Sequence, residues 1–151
     1  MKKIFTFIIL LLPWFLVSLI PVDYNYYQVI KLPWFAPPTI FYSISWTIIY
    51  ILIACSCVCL LDSYKIKDLP KTYKTTLLIN YLFNQSYTLV FFGLHNNFLG
   101  FVSCCGTLLS TLFLANETYD LKPKCAKFLI PYILLSFFAV ILSFTIYIMN
   151  I

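Results

Sequence analysis

The sequence predicts an all-α integral membrane protein, one domain over residues 1–151, folded as a bundle of five transmembrane helices. Three observations predict it: a composition too poor in charge for water, five apolar runs of spanning length, and a lopsided distribution of lysines. Of 151 residues, 62% are hydrophobic and only 10% charged, where soluble domains carry roughly 25% charged residues. Mean hydropathy is +0.93. So few charges cannot coat a water-facing surface, and the apolar side chains are expected to face a lipid bilayer. With only 3 glycines and no internal repeat, collagen-like and low-complexity chains are excluded.

A helix needs about 20 apolar residues to cross roughly 30 Å of hydrocarbon. Five segments meet this, at about residues 4–22, 39–61, 76–94, 98–116 and 126–148. Apart from Lys127 at the edge of the last, none holds Asp, Glu, Lys or Arg. The separators, 23–38, 62–75, 95–97 and 117–125, are polar or proline-rich. A β-barrel would show alternating strands of about ten residues, which these longer, uniformly apolar runs do not. Pro13 and Pro131 fall inside the first and fifth segments, where a missing backbone donor is expected to bend the helix.

All 10 basic residues are lysines. Five crossings put the N-terminus and the second and fourth connections on one side. That side then holds Lys2, Lys3, Lys65, Lys67, Lys71, Lys74, Lys122, Lys124 and Lys127, and the other holds Lys31 alone. The positive-inside rule reads this as an N-terminus in the cytoplasm and a C-terminus outside. The net charge of +5 serves orientation and attraction to anionic lipid. It is no nucleic-acid footprint, because no basic cluster is interleaved with aromatics on a soluble face. A bacterial cytoplasmic membrane is the expected location, on the phenylalanine- and tyrosine-rich, arginine-free composition. Lys2 and Lys3 before an apolar run resemble a signal peptide. The run is long and no small-x-small cleavage site follows before Asp23, so a retained first helix is expected.

Cys55, Cys57 and Cys59 are spaced by two, which turns them to different helix faces and suits no single metal. They and Cys104, Cys105 and Cys125 are read as small packing residues, with no disulfide framework. His95 stands alone in the third connection, suited to a helix end or an interface hydrogen bond rather than a metal site. No Ser/His/Asp set, carboxylate pair or glycine-rich phosphate loop offers catalysis or holds a metal, and no cofactor is required.

Polar and aromatic stripes carry what chemistry remains. Asn80, Asn84 and Tyr87 lie at i, i+4 and i+7, with Gln85 adjacent; Tyr42, Trp46, Tyr50 and Ala54 repeat every four; Tyr132, Ser136, Ala139, Ser143 and Tyr147 share one flank. Amides in hydrocarbon are costly unless paired or facing a cavity, so these stripes should point inward. They would serve either interhelical hydrogen bonding or a pocket with aromatic walls and a few polar anchors.

Residues 31–50, KLPWFAPPTIFYSISWTIIY, resemble the first-loop and second-helix signature of the tryptophan-rich sensory protein family, also called translocator protein or TspO. The match is carried by Lys31, Pro33, Ala36, Pro37, Pro38, Trp46, Thr47 and Tyr50. Asn84 with Phe91-Phe92-Gly93-Leu94-His95-Asn96 resembles the family's third-helix ending. Pro131-Tyr132, Phe138-Ala139 and Asn150 resemble its fifth helix. The resemblance implies a five-helix bundle that often pairs as a homodimer, with the first loop folded over a pocket between helices. It implies hydrophobic small-molecule ligands: tetrapyrroles such as protoporphyrin and haem, sterols in some members, and synthetic aromatic drugs. Carried over, the ligand-binding positions are Trp34, Pro38, Trp46, Tyr50, Asn84, Tyr87, Tyr132, Leu135, Ala139 and Ser143. The chain departs from the pattern where Ile40, Tyr87 and Leu135 replace Trp, Ser143 replaces Asn, Ser43 replaces Pro, and Ser103 stands at an often acidic position. Some members degrade porphyrin using pocket indoles, and their loss at 40 and 135 weighs against that here. No basic residue follows Tyr147, so the sterol pattern is incomplete. The implied function is binding of a tetrapyrrole for sensing, sequestration or transport. Porphyrin breakdown through Trp46 and a ligand-free assembly scaffold are the alternatives.

Overall fold

The computed structural model describes residues 2–19, 22, 23 and 25–151. It is all-helical, with no strand among the described residues. In chain order the α-helices are α1 (Lys2–Leu11), α2 (Tyr26–Val29), α3 (Thr39–Leu61), α4 (Lys71–Tyr87), α5 (Asn97–Leu121), α6 (Pro123–Ala126) and α7 (Ile130–Met149). Tighter 3-10 stretches extend α1 over Leu12–Leu19 and join α6 to α7 over Lys127–Leu129. A π-helical turn, Thr88–Gly93, extends α4.

Three helical stretches are long and apolar enough to cross a membrane: Thr39–Leu61, Asn97–Leu121 and Pro123–Met149. The protein is therefore an integral membrane protein whose surroundings are lipid. The other two long members of the bundle fall short of the expected spanning helices for separate reasons. The first turns 3-10 at Leu12, just before Pro13, whose ring cannot donate the hydrogen bond a longer α-helix needs. In α4 the amides and two lysines lower hydropathy, and the regular helix stops at Tyr87.

The break in the first helix is compensated across the bundle. Tyr81 Oη donates to the Pro13 carbonyl at 3.0 Å, and Gln85 Nε2 to the Trp14 carbonyl at 3.3 Å. Tyr81 and Gln85 lie one turn apart on α4, so one face of that helix serves both carbonyls. Backbone groups at membrane depth must find partners within the protein. Pro131 occupies the first turn of α7, directly after the 3-10 stretch Lys127–Leu129. There its missing N–H was unpaired in any case.

α5 is the spine, packed along α4 on one side and α7 on the other, while α1 lies against α3. The close approach of α5 follows from a stripe of small residues turned inward: Gly100, Ser103, Cys104, Thr107, Ser110 and Thr111. Phe91 of the π turn lies across Gly100, whose missing side chain leaves it room. Asn96 caps the start of α5, its Oδ1 accepting from Leu99 N–H at 2.9 Å.

The connections gather at two ends. At one, Lys3 pairs with Asp62 at 2.9 Å, and Lys122 Nζ reaches Ser63 Oγ and the Cys59 carbonyl. Cys59 and Cys125 form a disulfide there, joining the end of α3 to α6. This corrects the reading of all cysteines as packing residues. The two lie 66 residues apart in sequence, and only the convergence of two helix ends brings them together. Cys55, Cys57, Cys104 and Cys105 are free thiols.

Candidate functional site

At the end away from those lysines, a cavity of about 480 Å³ opens between α3, α4, α5 and α7. This is within the range of small-molecule sites. Each wall follows from a local pattern. The four-residue repeat on α3 places Tyr42, Trp46 and Tyr50 along one face. α4 contributes Asn84 and Tyr87, and its π turn shifts the register so that Thr88 and Phe92 also face the cavity. Such single π turns recur at functional sites. From α5 come Cys104 and Thr107; from α7 come Leu135, Ser136, Phe138, Ala139, Leu142 and Ser143.

A hydrogen-bonded chain runs beneath this wall. Tyr50 Oη donates to Asn84 Oδ1 at 3.0 Å, Asn84 Nδ2 to Tyr132 Oη at 3.1 Å, and Tyr132 Oη to Asn80 Oδ1 at 3.0 Å. Asn80 Nδ2 then reaches Ser110 Oγ and Thr111 Oγ1, each at 2.9 Å. The amides of Asn80 and Asn84 are thus paired, as hydrocarbon demands. Above the chain the rings pack closely. Trp46 is tilted on Tyr50 with centroids 6.1 Å apart, and Trp14 stacks on the other side of Tyr50 at 5.4 Å.

The first loop closes the outer end. Tyr26 Oη donates to Asn97 Oδ1 and the His95 carbonyl, and its ring stacks on His95 at 4.3 Å. His95 Nε2 lies 3.5 Å from Asp23 Oδ2. Asn150 receives Lys31 N–H on its Oδ1 and donates to the Lys31 carbonyl, both at 2.9 Å. Tyr27 lines the cavity and pairs with Tyr42, oxygen to oxygen, at 2.7 Å. Burial pushes the Tyr27 phenol above its ordinary 10.0, and the Tyr42 hydrogen bond pulls it partly back. The loop contact is therefore neutral at physiological pH.

Of the site residues expected from sequence, Trp46, Tyr50, Asn84, Tyr87, Leu135, Ala139 and Ser143 line this one cavity. Tyr132 is fully buried behind the wall, edge-on to Trp46 and bonded to both asparagines. Pro38 precedes α3 as its cap, next to the lining residue Thr39. Trp34 is 96% exposed on the loop and is not among the lining residues. Sequence reasoning missed Cys104 and Thr107. Their signal was the three- and four-residue spacing of small polar residues on α5, from Gly100 to Thr111, which faces inward just as the tyrosine stripe of α3 does.

Known proteins resemble the chain along nearly its whole length. The TspO/MBR family model matches residues 5–149. The Tryptophan-rich protein TspO of Bacillus cereus is 36% identical over 132 residues, covering 87% of this chain and 85% of that protein. An uncharacterized membrane protein of Bacillus subtilis, YtaB, is 32% identical over 132 residues, 87% of this chain and 84% of its own. The Tryptophan-rich protein TspO of Archaeoglobus fulgidus is 28% identical over 128 residues, covering 83% and 80%.

Proposed function

The chain belongs to the TspO/MBR family, and on that premise we propose that it binds a flat, hydrophobic aromatic ligand, a tetrapyrrole such as protoporphyrin or haem foremost, in the cavity between α3, α4, α5 and α7. The observation that carries this reading is the cavity wall itself: indole and phenol faces from Trp46, Tyr50 and Tyr87 beside the single amide of Asn84. Ring faces stack on a macrocycle, and a few polar groups orient it. The role is sensing, sequestration or transport. The rest of the proposal is five crossings with the N-terminus in the cytoplasm, and pairing of two copies as a homodimer. The gathering of Lys3 and Lys122 at one end of the bundle, with Lys31 at the other, supports the orientation. Titration of purified protein with protoporphyrin tests the ligand: saturable quenching of tryptophan fluorescence, weakened by Trp46→Ala, is expected. Quenching that rises without saturation refutes it.

One observation favours a second reading. Trp46, Tyr50 and Trp14 form a continuous row of rings from the cavity into the core, a geometry that suits breakdown of a bound porphyrin with dioxygen as the oxidant and Trp46 as a redox-active side chain. A light-dependent change in the porphyrin spectrum that Trp46→Phe abolishes would favour this enzyme-like reading over simple binding.

A further inference from the structure

The disulfide between Cys59 and Cys125 lies in an unusual place. Cys59 is in the last turn of α3 and Cys125 in α6, at the end of the bundle that holds Lys3, Asp62, Ser63 and Lys122. On the orientation proposed above, this end faces the cytoplasm. Disulfides are rare in that compartment, because its thiol pools keep cysteines reduced, and those that do form are usually transient.

The surroundings of the bond suit thiol exchange. Cys59 is partly exposed, whereas Cys125 is fully buried. An incoming thiol therefore reaches the Cys59 sulfur, and Cys125 is the leaving group. Lys122 Nζ is held at the joint by the Cys59 carbonyl at 3.2 Å and Ser63 Oγ at 2.7 Å. A cation at the joint favours a departing thiolate. The bond also ties together two walls of the cavity. α3 carries Trp46 and Tyr50, and α7, which continues from α6, carries Leu135, Ala139 and Ser143. Cys59 lies about 14 Å along α3 from Tyr50.

We propose that Cys59 and Cys125 form a reversible thiol–disulfide switch at the cytoplasmic end, whose oxidised form fixes α3 against α7 and holds the cavity in its binding shape. The proposal rests on the orientation and the ligand site given above. Reduction proceeds by exchange with a dithiol. Its thiolate attacks Cys59 Sγ, the S–S bond breaks, and the electron pair leaves on Cys125 Sγ, which takes a proton from water. The second thiol of the dithiol then attacks the mixed disulfide and frees Cys59. The pair gains two electrons and two protons, and the dithiol becomes a disulfide; reoxidation is the same exchange run backward with a disulfide as oxidant. In the reduced form, hydrogen bonds still attach α3 to this end: Ser56 Oγ to the Cys125 carbonyl at 3.0 Å, Tyr64 Oη to the Leu121 carbonyl at 3.1 Å, and the contacts of Lys122. The fold persists, with more freedom between α3 and α7.

The test counts thiols in cells expressing the full chain. Cells are quenched with acid, and the denatured protein is labelled with maleimide-polyethylene glycol, which reads six thiols when the pair is reduced and four when it is bridged. Six are expected in resting cells, four after a pulse of the thiol oxidant diamide, and six again after its removal. Four throughout, with a thiol from Lys67→Cys shielded from an impermeant reagent, marks a permanent bridge and overturns the switch. Four throughout, with that thiol labelled from outside, overturns the orientation on which the switch rests. Six throughout shows that no bridge forms and overturns the switch as well. The coupling to the cavity is read by titrating protoporphyrin into purified full-length protein in non-ionic micelles, before and after reduction with dithiothreitol. Reduction is expected to weaken binding about threefold or more, because the binding shape is then only part of the population. Cys59→Ser is expected to bind like the reduced protein, with or without reductant. Equal affinity in the two redox states overturns the coupling. Failure of both forms to saturate overturns the ligand reading, a result that leaves the thiol count to decide the switch.

Discussion

Replacing Asn80 by alanine should loosen the whole bundle, although Asn80 touches no ligand space. Its side chain is fully buried on α4 and joins three helices. Nδ2 reaches Ser110 Oγ, Thr111 Oγ1 and, at 3.3 Å, the Thr107 carbonyl of α5; Oδ1 accepts from Tyr132 of α7 at 3.0 Å. Hydrogen bonds between transmembrane helices average about 0.6 kcal/mol each. Losing four such contacts costs about 2–2.5 kcal/mol, or roughly fiftyfold in the folded-to-unfolded ratio. The loss is moderate because Ser110 and Thr111 keep their bonds to the Gly106 and Thr107 carbonyls of their own helix. Asn84→Ala breaks two contacts, to Tyr50 and Tyr132, and should cost about half as much. Reversible unfolding in mixed micelles, titrated with a denaturing detergent, gives both values. If Asn80→Ala unfolds within about 0.5 kcal/mol of the parent, or if Asn84→Ala is the more destabilising, the polar chain does not hold these helices together.

Four further outcomes are expected. Trp46→Ala and Asn84→Ala should each weaken protoporphyrin binding by about tenfold or more, since each removes a wall or an anchor of the cavity; parental affinity in both variants would place the ligand elsewhere. Gly100→Ala would put a methyl group 2.9 Å from the buried Phe91 ring and should destabilise by about 1–3 kcal/mol, read in the same unfolding titration. Reduction of Cys59–Cys125 should slow migration on a denaturing gel and lower stability. The separation of 66 residues sets a ceiling of about 4 kcal/mol for a fully unfolded chain, and helices that stay inserted in the micelle reduce it. For topology, a thiol introduced by Leu94→Cys should react with an impermeant reagent from outside intact cells, and one from Lys67→Cys only after permeabilisation; the reverse pattern would invert the orientation.

Much of the site was legible because period and polarity are local. Trp46 and Tyr50 recur every four residues, Asn80 and Asn84 do the same, and scarce amides in an apolar chain have few places to go but inward. The structure places both asparagines inside, as that logic requires. What stayed hidden depends on two elements meeting. Asn80 and Asn84 look equivalent in sequence, yet Asn84 faces the cavity while Asn80 is enclosed against α5. The phenol of Tyr132 turns to the two asparagines rather than to open space. Trp34, carried over as a ligand-binding position, is exposed on the loop, because a tryptophan in a loop has no helical period to fix its direction.

The sequence by itself determined that the chain lives in lipid, that it is helical, where α3 begins and ends, and which family it resembles; each follows from composition, run length or a contiguous motif. Only the tertiary structure decided the disulfide between Cys59 and Cys125, the repair of the broken first helix by Tyr81 and Gln85, and the pairing of Asn80 and Asn84 with Tyr132. The division has one physical cause. Transfer into hydrocarbon is a property of each segment alone, whereas a paired or unpaired polar atom is a property of two segments at hydrogen-bonding distance.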